Sequence, residues 1–290
     1  MVKNSPFAFS FRNYSLLIKP GIIVGNAITA CAGFALASQG EFQFITFLLM
    51  LIGISLVIAS SCVYNNYIDR HKDKMMERTK NRPLAKGIIS EKAALIFATF
   101  LIIAGLATLA IGVNILSMAS ALVGFGIYVF LYSFSKYQTI YGTLIGSVAG
   151  AMPPVVGYTA ASGRLDGAAL LLFLIVALWQ MPHFYAISIR RLRDYRSAEV
   201  PILPVKKGML KTKLQMFFYI MAFTIATLML TAFDYTGYLF MAIASILGIA
   251  WLVLCIRGLE TRDDQAWAKQ MFRFSLIVIM GISFAIPFSS

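Results

Sequence analysis

Two aspartates and an asparagine recur at four-residue intervals in a strongly basic stretch of the chain. Asn65, Asp69 and Asp73 stand at positions i, i+4 and i+8, so on a helix all three side chains share one face. Carboxylate and carboxamide oxygens suit a hard cation such as Mg²⁺, which usually shares its shell with substrate phosphates. The spacing therefore predicts a site for a divalent cation, provided that a helix runs through all three positions.

Basic side chains crowd the same stretch. They are Arg70, Lys72, Lys74, Arg78, Lys80 and Arg82. Cations beside a carboxylate-held metal are what a diphosphate requires, because its negative charge must be matched as it leaves. The lysines alone are more typical of a solvated loop that follows the positive-inside rule. The aspartate stripe has no such structural explanation, because charged groups next to lipid are costly and are functional candidates by default.

The elements that must position these residues are membrane helices. Apolar residues make up 59% of the chain and charged residues 13%, and the mean hydropathy is +0.79, whereas soluble chains carry roughly 25% charged residues. A span needs about 20 apolar residues, and continuous apolar runs of that size, without alternating polarity, favour helices over a β-barrel. We predict nine spans: Ile22–Ala37, Phe44–Tyr64, Ala93–Ile111, Leu116–Tyr132, Ile140–Ala160, Ala168–Ile189, Leu214–Phe233, Tyr238–Ile256 and Phe272–Phe288.

The distribution of basic residues predicts how the chain crosses the membrane. With the N-terminus in the cytoplasm, only Arg164 of the 25 Lys and Arg residues falls on the outer side. The positive-inside rule then predicts an N-in, C-out protein. The net charge of +13 is thus mainly topological, and no aromatic-basic patch accompanies it, so we expect no nucleic-acid partner.

The two long connections, residues 65–92 and 190–213, both lie on the predicted cytoplasmic side, and they carry most of the candidate chemistry. A heme or small-molecule transporter is an alternative from another functional class. It would be expected to place ionisable groups deep in the spans. Here almost all of them are at the cytoplasmic ends, which favours an enzyme that works at that surface.

Several motifs resemble those of one family. The run from Asn65 to Asp73 resembles the N-D-x-x-D-x-x-x-D motif of the UbiA superfamily of intramembrane prenyltransferases, and Tyr132-x-x-x-Lys136 is similar to a Y-x-x-x-K element of that superfamily. The segments RTKNRPL (78–84), GAMPPVVGY (150–158) and LWQMPHF (178–184) are similar to the branch that attaches a farnesyl group to protoheme. The resemblance covers about residues 12–273. It implies one polytopic domain over residues 1–290, an all-α bundle with a central cavity that opens near the cytoplasmic side.

The chain departs from the superfamily pattern at two positions. Asn66 stands where many members have the first aspartate, and the second-loop motif D-x-x-x-D is reduced to Asp194-x-x-x-Ala198. Both reductions resemble the heme-modifying branch, although they leave fewer oxygen ligands for a second metal ion. The alternative within the superfamily, a polyprenyltransferase acting on 4-hydroxybenzoate or a similar aromatic acid, would be expected to retain the second aspartate.

The resemblance implies the substrates, the cofactor and a role for each candidate residue. Farnesyl diphosphate and heme B would be the substrates and Mg²⁺ the cofactor, in a bacterial cytoplasmic membrane, with heme A synthase or a terminal oxidase as a possible recipient of the product. The expected metal ligands are Asn65, Asp69, Asp73 and Asp194. The cations expected to neutralise the leaving diphosphate are Arg78, Arg82, Lys136 and Arg193. The further expected substrate contacts are Lys72, Arg190, His183 and Tyr132.

Two more features allow a structural or a functional interpretation. His183 follows Pro182 in the sixth predicted span, so its imidazole could contact heme or could satisfy a carbonyl freed by the proline. The charged loop places His71 in a solvated or supporting role. Gly142, Gly146 and Gly150 recur at four-residue steps, which predicts close helix packing of the small-xxx-small kind.

Overall fold

The computed structural model describes residues 11–38 and 40–288, and no β-strand occurs within these ranges. Nine helices in this part of the chain are long and apolar enough to cross a membrane, which confirms the all-α fold and the predicted number and order of spans. We call them the first to the ninth span: Pro20–Ser38, Phe44–Asp73, Glu91–Gly112, Ile115–Ser135, Gly142–Ser162, Gly167–Arg190, Met209–Ala232, Tyr238–Arg257 and Asp264–Phe288.

Two of the spans extend well beyond their predicted ends. The second span continues past Tyr64 to Asp73, so the condition for placing three oxygen ligands on one helical face is met. The ninth span begins at Asp264 rather than Phe272, and the Asp263 side chain caps it by accepting hydrogen bonds from two backbone N–H groups. Hydropathy locates the lipid-embedded part of a helix, whereas the helix itself continues into the polar residues beyond.

The fourth and fifth spans are irregular. The fourth is α-helical over Ile115–Gly126, π-helical over Ile127–Tyr132 and α-helical again over Ser133–Ser135. The fifth is interrupted at Ala151, between the helices Gly142–Gly150 and Met152–Ser162. Pro153 and Pro154 follow Ala151 after one residue, and the interruption lies there because proline has no backbone N–H to bond to the preceding turn.

The two long connections pack against each other. Lys72 Nζ donates a hydrogen bond to the carbonyl of Ala198 (3.3 Å), and Ser197 Oγ donates one to the carbonyl of Met75 (3.1 Å). The shared apolar cluster consists of Met76, Ala198, Val200 and Ile202. The described part of the chain also has three short helices outside the spans, Phe11–Ile18, Leu192–Ser197 and Leu203–Lys206. Both connections therefore lie at the same end of the helix bundle.

The glycine stripe of the fifth span makes room for residues of neighbouring spans, which confirms the predicted close packing. The stripe consists of Gly142, Gly146 and Gly150. A Cβ at the first position would approach the backbone of Lys136 to 2.6 Å, and one at the second would approach the Tyr132 ring to 2.9 Å. At the third position a Cβ would collide with the Gln180 side chain. The stripe thus allows the end of the fourth span to lie close to the fifth.

Candidate active site

The end of the second span carries three buried polar side chains on one face. Asn65, Asp69 and Asp73 are 4%, 6% and 1% exposed. Each is bonded to a cationic side chain, and the three cations come from three separate segments of the chain. They are Lys19 before the first span, Lys136 after the fourth span and Arg82 in the loop after the second span. Tertiary folding therefore places one cationic side chain next to each of the three residues of the predicted ligand face. We call these six side chains the charged array.

Asp69 is held by two consecutive residues. Lys136 Nζ lies 2.7 Å from Oδ2 of Asp69, and the hydroxyl of Tyr137 donates a hydrogen bond of 2.7 Å to Oδ1. Burial lowers the pKa of Lys136, and the negative charge of Asp69 opposes that shift. Burial together with the same carboxylate raises the pKa of Tyr137. The phenol is thus protonated at neutral pH and acts as the donor.

Asp73 is paired with Arg82 through both carboxylate oxygens. The guanidinium Nη1 donates to Oδ1 at 2.9 Å and to Oδ2 at 2.8 Å. The hydroxyl of Thr79 also donates to the Asp73 carbonyl at 3.0 Å, so the chain folds back directly after the helix. This compact turn places Arg82 beside the ligand face.

Asn65 is the meeting point of two further segments. Its Oδ1 accepts a hydrogen bond from Lys19 Nζ (3.0 Å), and its Nδ2 donates to the hydroxyl of Ser133 in the fourth span (3.2 Å). Burial lowers the pKa of Lys19 to about 8. Sequence reasoning missed both Lys19 and Tyr137 as site residues. The available signals were the position of Lys19 directly before the first span and the adjacency of Tyr137 to Lys136.

Asn66 points away from this face. Its Nδ2 donates a hydrogen bond of 2.9 Å to the carbonyl of Leu17, at the end of the Phe11–Ile18 helix. The side chain at position 66 therefore holds the N-terminal helix, and the three polar side chains on the buried face are those of Asn65, Asp69 and Asp73.

The expected second-loop ligand is not brought to the same point. Within the described residues, no group of three or more His, Cys, Asp or Glu side chains is close enough to hold a metal ion. Asp194 is partly buried in the short helix Leu192–Ser197, and no hydrogen bond or ion pair joins it to Asp69 or Asp73 in the described structure. In this structure the ligand face therefore consists of residues of the second span, and Asp194 is not part of it.

The remaining basic candidates divide into bonded and exposed groups. Lys72 bonds to the second loop, as described above, and the Arg190 guanidinium lies 4.7 Å from the centre of the Phe272 ring. Arg78, Arg193 and His71 are exposed. Burial raises the pKa of Tyr195, and the nearby charge of Arg78 opposes that shift, so Arg78 lies close to the interface between the two loops.

Tyr132 lies next to the ligand face. Its ring centre is 5.1 Å from Lys136 Nζ and 5.2 Å from the ring centre of Tyr128. Both tyrosines belong to the π-helical segment Ile127–Tyr132. The aromatic rings therefore form the boundary between the charged array and the apolar interior.

His183 is enclosed by aromatic rings of the sixth and ninth spans. It is stacked on Trp179 with 4.7 Å between ring centres, and its Nδ1 lies 2.7 Å from the hydroxyl of Ser275. Ser275 donates its one proton to the carbonyl of Phe272 (2.7 Å), so the hydrogen-bond network assigns the proton of the His183 contact to Nδ1. The ring is therefore oriented by a serine of the ninth span rather than by a carbonyl freed by Pro182, and Nε2 carries the lone pair.

An apolar cavity of about 80 Å³ lies one turn deeper than the ligand face. Ser61, Cys62 and Tyr128 form its wall on the side of Asn65. The other lining residues are Ile22, Asn26, Ile54, Val57, Ile58, Ala121, Gly124, Phe125, Ala149, Gly150, Met152 and Pro153. The polar face above an apolar space would place a charged head group next to the start of a hydrocarbon tail.

The donor set of the face fits a hard divalent cation. Two carboxylates and a carboxamide on successive turns offer oxygen ligands, which is the chemistry that Mg²⁺ prefers. Each of these groups is bonded to a protein cation in this structure. Binding of a metal at the face therefore requires these cations to exchange partners, and a phosphate group is a suitable new partner for them.

The fold and the site together define an intramembrane prenyltransferase. The model of the UbiA prenyltransferase family matches residues 26–277, and the chain belongs to this family. It is therefore a multi-pass membrane protein and a prenyltransferase. A protoheme IX farnesyltransferase of Protochlamydia amoebophila (strain UWE25) is 51% identical over 275 residues, which cover 95% of this chain and 97% of that relative.

Solved structures share the fold at low sequence identity. A UbiA homologue from Aeropyrum pernix K1 is 22% identical with a TM-score of 0.70, over 93% of this chain and 98% of that one. A UbiA homologue from Archaeoglobus fulgidus, bound to GPP and Mg²⁺, is 15% identical with a TM-score of 0.65, over 95% and 99% of the two chains. These similarities show that the nine-span bundle is the UbiA fold.

Proposed function

We propose that this chain transfers a farnesyl group from farnesyl diphosphate to a vinyl group of protoheme IX, with addition of water, to give heme O and diphosphate. The observation that carries this proposal is the buried face of Asn65, Asp69 and Asp73, bonded to three cations above an apolar cavity. Identity of about half over nearly the whole length of a protoheme IX farnesyltransferase supports heme as the acceptor.

We also propose that Mg²⁺ assists this reaction. Asn65, Asp69 and Asp73 would hold the ion, and Asp194 would join them when the second loop moves closer. When bound, Mg²⁺ would supply positive charge to the oxygens of the diphosphate. The UbiA homologue from Archaeoglobus fulgidus that is bound to GPP and Mg²⁺ supports this assignment.

The basic side chains of the site stabilise the leaving group in this proposal. Lys136 and Arg82 exchange their carboxylate partners for diphosphate oxygens, and Arg78 and Arg193 add charge from the two loops. The bond between C1 of farnesyl and its oxygen breaks, and the electron pair stays on the diphosphate. An allylic cation remains, and the face of the Tyr132 ring is close enough to the charged array to stabilise it.

The acceptor completes the bond. The π electrons of a heme vinyl group attack the allylic carbon, and the positive charge moves to the vinyl carbon next to the porphyrin ring. Water adds to that carbon and loses a proton, which gives the hydroxyethylfarnesyl substituent. Because water that reached the allylic cation first would produce farnesol, the apolar cavity below the site protects the reaction.

The heme side of the site is assigned to the sixth and ninth spans. Nε2 of His183 is the candidate contact with the heme iron, because Ser275 holds the ring by its other nitrogen. Arg190 lies two turns further along the same helix and contacts Phe272 as His183 does. We assign Arg190 and Lys72 to the heme propionates.

Orientation and location follow from the charge distribution. We propose a bacterial cytoplasmic membrane, with the N-terminus and both long loops inside, and a single functional domain over residues 1–290. The product would then be delivered to heme A synthase or to a terminal oxidase. A cysteine placed at Arg164 should react with a membrane-impermeant maleimide from outside the cell, whereas a cysteine at Lys80 should not.

The function is tested by the mass of the product. Purified protein with Mg²⁺, farnesyl diphosphate and protoheme should yield heme that is heavier by one farnesyl group and one water. The matched control replaces protoheme by 4-hydroxybenzoate. Prenylation of the phenolic acid without modification of heme would reject the proposed acceptor.

A further inference from the structure

The backbone at Lys19 is strained. Its φ is +53°, in the left-handed region that residues other than glycine rarely adopt. Lys19 separates the Phe11–Ile18 helix from the first span, which begins at Pro20. Glycine would make the same reversal without strain, so the reversal alone does not explain a lysine here. Strain of this kind persists where the surrounding structure enforces it, and it concentrates at functional sites.

The side chain of Lys19 reaches the active site. Its ammonium group bonds to Oδ1 of Asn65, and the charges of Arg82, Lys136 and Asp69 all act on it. It is therefore the third protein cation at the ligand face. Asn65 is a neutral partner, so Lys19 is the only one of the three whose charge is not matched by a carboxylate in its own hydrogen bond.

Adjacent residues of the second span hold the Lys19 segment at two points. Asn65 binds the ammonium group, and Asn66 donates to the carbonyl of Leu17. The Leu17 side chain is fully buried against the second and third spans. The N-terminal helix is thus docked on the bundle in one position, and this docking fixes where the Lys19 side chain enters the site.

We propose that Lys19 binds the diphosphate group of the prenyl substrate, and that the Asn66 contact with Leu17 positions it to do so. The proposal rests on the proposed function, because it requires a diphosphate substrate. A long, positively charged side chain that lacks an anionic partner and lies among two other cations is suited to a polyanion. The strained backbone keeps the amine at the site instead of releasing it to solvent.

The decisive variant is Lys19→Gly, because glycine relieves the strain while removing the charge. Binding of inorganic pyrophosphate in the presence of Mg²⁺ is measured by calorimetry on the full chain in detergent. We expect affinity to fall by roughly 10-fold to 100-fold, as for the loss of a charge-assisted hydrogen bond, while the thermal midpoint stays at or above the original value. KM for farnesyl diphosphate should rise and KM for protoheme should not. Lys19→Arg should recover most of the affinity.

Lys86→Met is the matched control, because Lys86 is an exposed lysine of the adjacent loop that has no assigned role. It should bind pyrophosphate as the original chain does. Asn66→Leu keeps Lys19 but removes the hydrogen bond to the Leu17 carbonyl that positions the lysine. This variant should bind pyrophosphate more weakly than the original chain. If the original chain fails to bind pyrophosphate, the proposed function is rejected. If it binds and Lys19→Gly binds equally well, the role of Lys19 is rejected and the proposed function is retained.

Discussion

Lys136 and Asp69 form an ion pair of 2.7 Å that joins the residue after the fourth span to the last turns of the second. Both side chains are largely buried, at 13% and 8% exposure. A charge buried in this way is stable only while its partner is present. The position of each side chain therefore depends on the other. Substitution of either residue tests the role of the pair.

Asp69→Asn and Asp73→Asn should each reduce turnover by at least about 100-fold, because each removes a charged ligand while keeping the side-chain volume. Asparagine keeps a hydrogen-bond acceptor at both positions, so the protein should still fold, with a lower thermal midpoint because Lys136 or Arg82 loses its carboxylate partner. Heme O formation and elution from a sizing column in detergent measure the two outcomes. Turnover near the original rate in both variants would show that the ligand face is misassigned.

Lys136→Met should be far more harmful than Tyr137→Phe. The lysine provides a charge for the leaving group, whereas the phenol provides one neutral donor to Asp69, worth about 1 kcal/mol. We expect Tyr137→Phe to lower kcat/KM by roughly 5-fold to 10-fold and Lys136→Met to lower it by at least about 100-fold. Equal losses would mean that the lysine acts only by holding Asp69 in place.

His183→Ala should weaken heme binding by more than it weakens binding of farnesyl diphosphate. Ser275→Ala removes the hydroxyl that orients the ring and should shift the heme absorption spectrum while leaving heme bound. Heme titration followed by absorbance, compared with calorimetry of the diphosphate, separates the two sites. If His183→Ala weakens both ligands equally, the histidine is a packing residue.

Lys213→Met should destabilise the bundle without a specific effect on substrates. Lys213 is buried in the seventh span, donates to the carbonyl of Gly258 at 2.7 Å and pairs with Asp264 at the start of the ninth span. Since Asp264 is partly exposed, we expect a loss of about 2 kcal/mol, seen as a lower thermal midpoint. KM for either substrate should stay constant. A large change in KM would instead assign Lys213 to the site.

The sequence predicted the ligand face because its evidence is local. Asn65, Asp69 and Asp73 share one helix, so their spacing alone determines that they point the same way. Lys136 was anticipated through a family motif. Lys19 was not anticipated as a site residue. Its contact with Asn65 spans 46 residues, and it depends on a left-handed backbone conformation that the presence of a lysine does not predict. Contacts of this kind arise from tertiary packing.

The two irregular spans also differ in whether their irregularity could be predicted from local sequence. The interruption of the fifth span lies beside Pro153 and Pro154, whose effect on a helix follows from their chemistry. The π-helical turn of the fourth span has no comparable signal, because its residues Ile127–Tyr132 are ordinary apolar and aromatic types. Neighbouring helices decide that geometry.

Because of that π-helical turn, the number of residues in the fourth span determines where Lys136 points. The backbone N–H of Ser133 bonds to the carbonyl of Tyr128, five residues earlier, so the turn holds one residue more than an α-helix would. Each residue of an α-helix adds about 100° of rotation. Because the turn already holds one extra residue, deleting exposed Phe130 would let it close as an α-helix while Lys136 keeps its direction toward Asp69. Inserting a residue after Phe130 would instead rotate Lys136 by about 100° and break its pair with Asp69. A deletion on the lipid-facing surface would thereby preserve a charge pair that an insertion at the same position abolishes.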